Sequence, residues 1–303
     1  VITATFPLFG VIALGALAGA VRLFPKPDAA IGILNRFTLY IAFPLLIVGS
    51  LADSGFDLPD SSAFYLFHLL AVALLVPIAR GLGRGDRVVV AGAMFGNIAY
   101  LGIPYCAAVL GPESVGLASL SAALHILICM SLAPALLARA AAGAHETSLH
   151  TARRVLRQPL VWAPLIGLTL RAVAPAPRMF VVETIAPVGA AAGPVALFMI
   201  GLYLWQRRHL VGEAGRGVLV VLGAKLVVYP ALMAALILGL QPWLPVTAIQ
   251  RGVLILVSAM PVAVTTFSLA EEFGAGQDVL SVSIVLSTLA SLLTLSVLSV
   301  VVV

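Results

Sequence analysis

Charged side chains are scarce in this sequence: they make up 10% of the 303 residues, whereas soluble domains carry about 25%. Hydrophobic residues make up 62%, so the chain has too little polar surface to cover the core of a water-soluble globule. This excludes a soluble enzyme and a nucleic-acid-binding domain. The two cysteines, Cys106 and Cys129, lie in apolar segments, where we expect buried thiols. The composition predicts an integral membrane protein.

Long apolar runs recur along the chain, most of them near the roughly 20 residues that a membrane-spanning helix needs. Ten such helices use about 200 residues and leave only short connections, so no room remains for a separate soluble domain. The sequence therefore predicts an all-α membrane protein with ten transmembrane helices, at about residues 3–21, 36–52, 62–79, 88–110, 114–138, 159–174, 184–205, 217–239, 248–270 and 279–301.

The positions of the basic residues predict the orientation of these helices. Most of the 17 lysines and arginines fall in alternate connections, represented by Arg22, Arg80, Arg139 and Arg207. Cytoplasmic loops carry such an excess, so the N- and C-termini are expected to lie outside the cell membrane. The net charge of +5 is then a signal of topology, and no nucleic-acid partner is expected.

A polar stretch near the middle, residues 141–157, divides the chain into halves of five helices, residues 1–140 and 158–303. Because five is odd, the second half must be inserted upside down relative to the first. Proline and glycine recur at matched places in the two halves: Pro7 with Gly15 and Pro159 with Gly167, then Pro44 with Gly49 and Pro194 with Gly201. The sequence thus predicts two inverted five-helix repeats, an architecture typical of secondary transporters.

The fourth and ninth helices are predicted to be broken. Pro104 follows Gly96-Asn97 in the fourth, and Pro261 follows Ser258 in the ninth. Irregular backbone inside a membrane is tolerated only where it is buried in protein or lines a cavity. Since proline suits the first turn of a helix, we expect each proline to start a half-helix whose N-terminus attracts an anion.

Polar side chains near these prolines complete the predicted anion site. Asn97 and Tyr100 add side-chain donors, and Thr265 adds a hydroxyl. No catalytic or metal-binding set is expected. The predicted substrate-binding residues are Asn97, Tyr100, Pro104, Ser258, Pro261 and Thr265.

Ionisable residues within or at the ends of the spans are candidates for proton or charge coupling, namely Lys225, His125 and Glu271. Each has a structural alternative: Lys225 extends to the interface or is paired, His125 is a hydrogen-bonded packing residue, and Glu271 is a solvated helix end. For His68 we expect the packing role.

Short motifs in order along the whole chain resemble the auxin efflux carrier family. In the fourth helix the motif is N-x-x-x-x-G-I-P, from Asn97 to Pro104. The ninth helix has Met260-Pro261 followed by Phe267 and Glu271, the eighth has Lys225 five residues before Pro230, and the seventh has residues 192–197, AGPVAL.

The resemblance implies a fold of ten helices in two inverted repeats, with helices four and nine crossing. Helices one, two, six and seven form a scaffold that dimerises, and helices three to five and eight to ten form a transport domain that moves like an elevator. It also implies small organic anions as substrates. Asn97 matches the family's substrate-contacting asparagine, and Pro104 and Pro261 match the crossover prolines, whereas Val262 stands where plant members often have a polar residue.

The hypothesis from the sequence is a secondary active transporter for efflux or exchange of a small carboxylate across the cytoplasmic membrane. It is expected to act as a homodimer in the lipid bilayer, without a cofactor, and with a proton or sodium as a possible coupling ion. A sodium-coupled symporter of the bile-acid or organic-anion type is the alternative. A membrane-embedded enzyme and a non-transporting sensor are more remote.

Overall fold

The computed structural model describes residues 2–53, 62–141, 153, 156–173 and 175–302, so most of the predicted connection at 141–157 lies outside the described residues. The described helices are α1 Ile2–Ala20, α2 Pro27–Phe37, α3 Phe43–Asp53, α4 Ser62–Leu82, α5 Arg87–Met94, α6 Ile103–Leu110, α7 Ser114–Ala140, α8 Pro159–Arg171, α9 Pro175–Ala190, α10 Ala192–Gln206, α11 Arg216–Gly223, α12 Tyr229–Leu240, α13 Ala248–Ser258, α14 Thr265–Phe273 and α15 Gln277–Val302.

Six stretches of these helices are long and apolar enough to cross a membrane: Pro27–Ala52, Ser62–Leu82, Ser114–Ala140, Pro175–Gln206, Arg216–Leu240 and Gln277–Val301. Shorter apolar helices lie at Phe6–Ala20, Ile98–Leu110, Pro159–Arg171 and Ala248–Ser258. Large apolar side chains such as Phe6 and Leu238 are exposed, as expected for a surface that faces lipid. The prediction of an all-helical membrane protein is confirmed.

Two predicted boundaries differ from the structure. The second helical stretch begins at Pro27, well before residue 36, because α2 is amphipathic and its polar residues conceal it in an apolar scan. The seventh predicted run, 184–205, covers the end of α9 and all but the last residue of α10, with an interruption at Ala191. Arg178 and Glu183 within α9 lower its apolar character in the sequence.

Wide π-helical turns occupy Thr38–Ala42, Ile98–Gly102 and Ala224–Val228. In every case the turn is followed by one residue and then a proline, which is Pro44, Pro104 or Pro230. Proline lacks an N–H group, and its ring clashes with the carbonyl four residues earlier, so the wider turn relieves that clash. Each of these prolines therefore shapes the backbone of the turn before it.

The helices pack in two groups. In one, α1 packs along α10, and α3 packs along α8 and α9. In the other, α5 packs against α4 and α7, α12 packs against α4 and α13, and α11 packs against α15. In the first group the helix backbones cross closely. A Cβ atom added at Gly15 would lie 1.9 Å from the carbonyl oxygen of Phe198, and a Cβ atom added at Gly201 would lie 1.8 Å from the carbonyl oxygen of Ile12.

Candidate substrate site at the helix crossing

The backbone breaks after α5 and after α13 meet and pair with each other. Gly96 and Val262 form an isolated antiparallel bridge. The Asn97 N–H donates to the Pro261 carbonyl at 2.8 Å, and the Ala263 N–H donates to the Phe95 carbonyl at 2.9 Å. Unpaired backbone groups are costly in a membrane, so this exchange stabilises a crossing of two non-helical segments.

Each break is also held by the second helix after it in the chain, which is α7 for the first break and α15 for the second. The Gly96 N–H donates to Nε2 of His125 on α7 at 2.9 Å, and the Val262 N–H donates to Oγ of Ser287 on α15 at 3.0 Å. His125 is therefore hydrogen-bonded to the crossing, which agrees with its predicted packing role. Its Nδ1 has no partner among the described residues.

A small cavity of about 20 Å³ lies beside the crossing. Its polar lining comes from Asn97, Tyr100, His125, Gln158 and Thr265, and its apolar lining includes Leu39, Phe95, Ile126 and Met130. None of these side chains is a carboxylate, lysine or arginine. Any charge recognition in the cavity must come from amide, hydroxyl and imidazole groups and from helix termini.

Asn97 combines the features of an anion-binding residue. Its residue is 3% exposed, and its side-chain Nδ2 has no hydrogen-bond partner in the described structure. Its carbonyl accepts from the N–H groups of Leu101 and Gly102, so the helical backbone after the break begins here. A buried amide donor without a partner beside a helix N-terminus provides a favourable place for a carboxylate.

Tyr100 lines the cavity with its ring, but its hydroxyl is already bonded. The hydroxyl donates to Oδ1 of Asn35 on α2, and the ring stacks on Phe43 with centroids 5.3 Å apart and planes 6° apart. The expectation that Tyr100 offers a free donor to the substrate is therefore corrected. Its contacts connect the fourth predicted helix to the second.

The half-helix starts differ from the positions expected for the two prolines. Pro104 lies at the beginning of α6, but the π-helical turn that precedes α6 already begins at Ile98. Pro261 lies inside the break, and α14 begins at Thr265. The N-termini that face the cavity therefore belong to Ile98 and Thr265, while neither proline lines it.

Ser258 and Glu271 also lie away from the cavity lining. The Ser258 hydroxyl donates to the Ile255 carbonyl of its own helix at 2.7 Å. Glu271 lies exposed near the end of α14. Of the predicted substrate-binding residues, the structure brings together Asn97, Tyr100 and Thr265.

Gln158 was missed in the sequence because it follows the polar connection and resembles a loop residue. It is 8% exposed at the residue before α8, lines the cavity, and has no partner for Oε1 in the described structure. The residue before Pro159 is a helix N-cap position, and that spacing is a signal that could have drawn attention to it.

Lys225 is fully buried next to the crossing. Its Nζ lies 3.5 Å from the Ser258 carbonyl oxygen, where it donates at the C-terminus of α13, and 4.4 Å from the centre of the Tyr229 ring. A Cβ atom added at Gly96 would lie 2.6 Å from this Nζ. Extension to the membrane interface is therefore excluded, and the ammonium lies behind the backbone that lines the cavity.

His68 of α4 lies against His125, with ring centroids 5.5 Å apart and planes 88° apart. Within the described ranges, no group of three or more His, Cys, Asp or Glu side chains could hold a metal ion. The crossing thus has a cavity that His125 helps to line, and two further basic side chains, Lys225 and His68, lie near His125 outside this lining.

The family described as membrane transport protein matches residues 1–299, and the chain belongs to this family. The resemblance to the auxin efflux carriers is confirmed, and the protein is a membrane transporter, which excludes the enzyme alternative.

Two relatives match nearly the whole chain. A protein of Rhizobium meliloti (strain 1021) named "Putative malonate transporter" is 29% identical, over 96% of this chain and 92% of its own length. A protein of Methanothermobacter thermautotrophicus (strain ATCC 29096 / DSM 1053 / JCM 10044 / NBRC 100330 / Delta H) named "Uncharacterized transporter" is 30% identical, over 96% of this chain and 94% of its own length.

Proposed function

We propose that this protein is a secondary active transporter of a small carboxylate, bound at the crossing of its two broken helices. The observation that carries the proposal is the buried, unpartnered Nδ2 of Asn97 in a cavity beside two helix N-termini. Malonate is the first candidate substrate, because the name of one relative refers to malonate. Its two carboxylates could interact with the helix starts at Ile98 and Thr265.

The proposed architecture is ten transmembrane helices in two inverted repeats, residues 1–140 and 158–303, with helices four and nine crossing. Matched contacts support it. Gly15 approaches Phe198, four residues after Pro194, and Gly167 approaches Val48, four residues after Pro44. Since Gly15 follows Pro7 by the same spacing as Gly167 follows Pro159, the two contacts occupy equivalent places in the halves.

The proposed mechanism is elevator-like movement of one helix group past the other. The scaffold consists of helices one, two, six and seven, which correspond to α1, α2–α3, α8 and α9–α10, and the transport domain contains the rest. The packing of α1 on α10 and of α3 on α8 and α9 supports this division. The cavity supports it too, because its lining includes Leu39 and Gln158 on the scaffold side and Asn97 on the other.

The protein is proposed to form a homodimer through the scaffold in the cytoplasmic membrane, with both termini outside. The distribution of basic residues supports this orientation. Proton coupling is proposed over sodium coupling, since the buried amine of Lys225 already lies beside the crossing backbone, at the Ser258 carbonyl. The direction, efflux or exchange, then depends on the gradients of anion and coupling ion.

The proposal is tested by reconstituting the protein in liposomes and measuring exchange of labelled malonate across the membrane. Asn97→Asp places a carboxylate where the amide donor lies, with almost unchanged size. We expect it to lower malonate exchange at least tenfold, because the new negative charge repels the substrate. The matched control is Ser131→Ala, which removes an exposed hydroxyl bonded to its own helix and should leave exchange unchanged.

Size-exclusion chromatography and thermal unfolding are used to check that each variant is folded. If the wild type exchanges malonate and Asn97→Asp exchanges it at the same rate, the assignment of the site is refuted. Absence of malonate exchange by the wild type would refute malonate as substrate, and a series of other carboxylates in the same assay then tests the class. Sodium and pH gradients imposed separately distinguish proton coupling from the sodium-coupled alternative.

A further inference from the structure

We infer that His68 is a proton-binding site behind the crossing, and that it takes up one proton when the anionic substrate binds. The inference rests on the proposed function and adds to it the group that couples the anion to protons. It is carried by the juxtaposition of three buried basic side chains: Lys225 and His125 meet at Gly96 of the crossing, and His68 packs against His125.

His68 differs from every other basic group near the crossing in its hydrogen bonding. It is fully buried in α4, and both of its ring nitrogens lack a partner in the described structure. A neutral imidazole has one N–H and one nitrogen lone pair. The lone pair of His68 can therefore accept a proton without breaking a hydrogen bond.

His125 cannot do so at the nitrogen that faces the crossing. Its Nε2 accepts from the Gly96 N–H, so protonation there would place two donors against each other and disrupt the break. Its role is positional: it connects the His68 ring to the backbone that lines the cavity. The edge-to-face contact of the two rings, with planes 88° apart, gives this connection a fixed geometry.

The charge around His68 explains why proton uptake depends on the substrate. His68 packs against His125, and Lys225 lies close to His125 at Gly96, with its amine over the ring of Tyr229. The charged residues on the other helices that pack on α4 are exposed: Arg87 on α5, Arg216 on α11 and Arg251 on α13.

A second positive charge beside Lys225 is unfavourable in a buried site. An anion in the cavity offsets this repulsion across the backbone of the crossing, and a dianion offsets it more than a monoanion does. The proton comes from the solvent, and its uptake forms an N–H bond on His68 as the lone pair is used. Substrate and proton then move together, which is symport.

The first test measures proton release or uptake when malonate binds to the purified wild-type protein. Calorimetric titration at pH 7.5 in buffers of different ionisation enthalpy gives the number of protons exchanged. We expect uptake of about one proton per malonate bound, from the single lone pair on His68. Binding without proton uptake overturns the inference, and this test requires no variant.

The second test uses His68→Gln in liposomes, with labelled malonate and the membrane voltage clamped at zero by potassium and valinomycin. With the outside one pH unit more acidic, one-to-one symport lets the wild type concentrate malonate up to about tenfold, since each tenfold ratio corresponds to about 1.4 kcal/mol. We expect His68→Gln to retain malonate-for-malonate exchange but to lose this accumulation. His209→Gln, at an exposed histidine, is the matched control and should behave as wild type.

The outcomes separate the two claims. If the wild type shows no malonate exchange, the proposed function fails for malonate, and this inference fails with it. If exchange occurs and His68→Gln still accumulates malonate under the pH gradient, the proton is carried by another group or by malonate itself, and the inference alone is overturned.

Discussion

Gly96 is the residue where the backbone of the crossing touches two basic side chains. A Cβ atom there would lie 2.6 Å from Nζ and 3.0 Å from Cε of Lys225, and 3.6 Å from Nε2 of His125. The end of a lysine side chain is flexible, so the protein can fold around an added methyl group. It can do so only by moving the amine away from the Ser258 carbonyl.

We therefore expect Gly96→Ala to destabilise the protein by about 1–3 kcal/mol, as overpacking of a buried site does, and to slow malonate exchange. Thermal unfolding of Gly96→Ala, Lys225→Ala and the double variant measures the coupling. Most of the cost of Gly96→Ala should disappear when Lys225 is already alanine, because the clash is gone. If Gly96→Ala lowers the stability equally with Lys225 present and with alanine in its place, the assigned contact is contradicted. Gly223→Ala is the control, because a Cβ atom there has no neighbour within 4 Å.

At the residue scale, the sequence identified side chains but not their partners. Asn97 stood out because asparagine beside glycine and proline is unusual in an apolar run, and it does line the cavity. The hydroxyl of Tyr100 was misassigned because its partner, Asn35, lies on a distant helix. No local spacing reveals that His125 accepts from the Gly96 N–H, since that bond depends on how α7 packs.

At the scale of elements, the π-helical turns orient residues that a regular helix would place elsewhere. Lys225 lies within the turn Ala224–Val228, and Pro230 follows that turn by two residues. Without the proline ring, the clash that favours the wide turn is absent. A turn of normal width would rotate the preceding residues about the helix axis and carry the amine of Lys225 away from Ser258.

We expect Pro230→Ala to leave the protein folded, with thermal stability within about 1 kcal/mol of wild type, because alanine is the best helix former. Malonate exchange should nevertheless fall several-fold, as we also expect for Lys225→Ala. Pro77→Ala is the control, since Pro77 lies within α4, which has no such turn. If malonate exchange decreases equally in Pro230→Ala and Pro77→Ala, the loss of a proline is the cause and the π-helical turn is not.

The sequence predicts the break in the fourth and ninth helices but not its form. Proline position and composition indicate which two segments contain a weakened helical ladder, and the breaks lie ahead of Pro104 and around Pro261. Their antiparallel pairing joins Gly96 to Val262, residues in opposite halves of the chain, so only the folded arrangement brings it about. The helix starts were displaced from Pro104 and Pro261 because a proline can also follow a wide turn or lie within the extended segment.

At the scale of the whole molecule, glycine crossings determine how closely the proposed scaffold helices pack. A Cβ atom at Gly201 would lie 1.8 Å from the Ile12 carbonyl oxygen, and one at Gly167 would lie 2.9 Å from that of Val48. Backbone atoms cannot rotate away as a side chain can. Alanine at either position therefore forces the helices apart.

We expect Gly201→Ala to lower the free energy of unfolding by about 3 kcal/mol, at the upper end of typical overpacking costs, and Gly167→Ala to lower it less. Thermal unfolding of the purified protein measures both. Gly239→Ala is the control, because a Cβ there meets nothing within 4 Å and alanine favours the helix. Exchange per folded molecule should be retained in Gly167→Ala, since neither crossing contacts the cavity. A Gly201→Ala variant as stable as this control would contradict the packing.

The crossing is joined by backbone atoms, through the Asn97 N–H on the Pro261 carbonyl and the Ala263 N–H on the Phe95 carbonyl. Every amino acid other than proline can supply the two N–H groups, and every amino acid can supply the two carbonyls. Side chains next to this joint can therefore change during evolution without loss of the architecture. Relatives can diverge in the substrate they recognise while they keep this backbone joint.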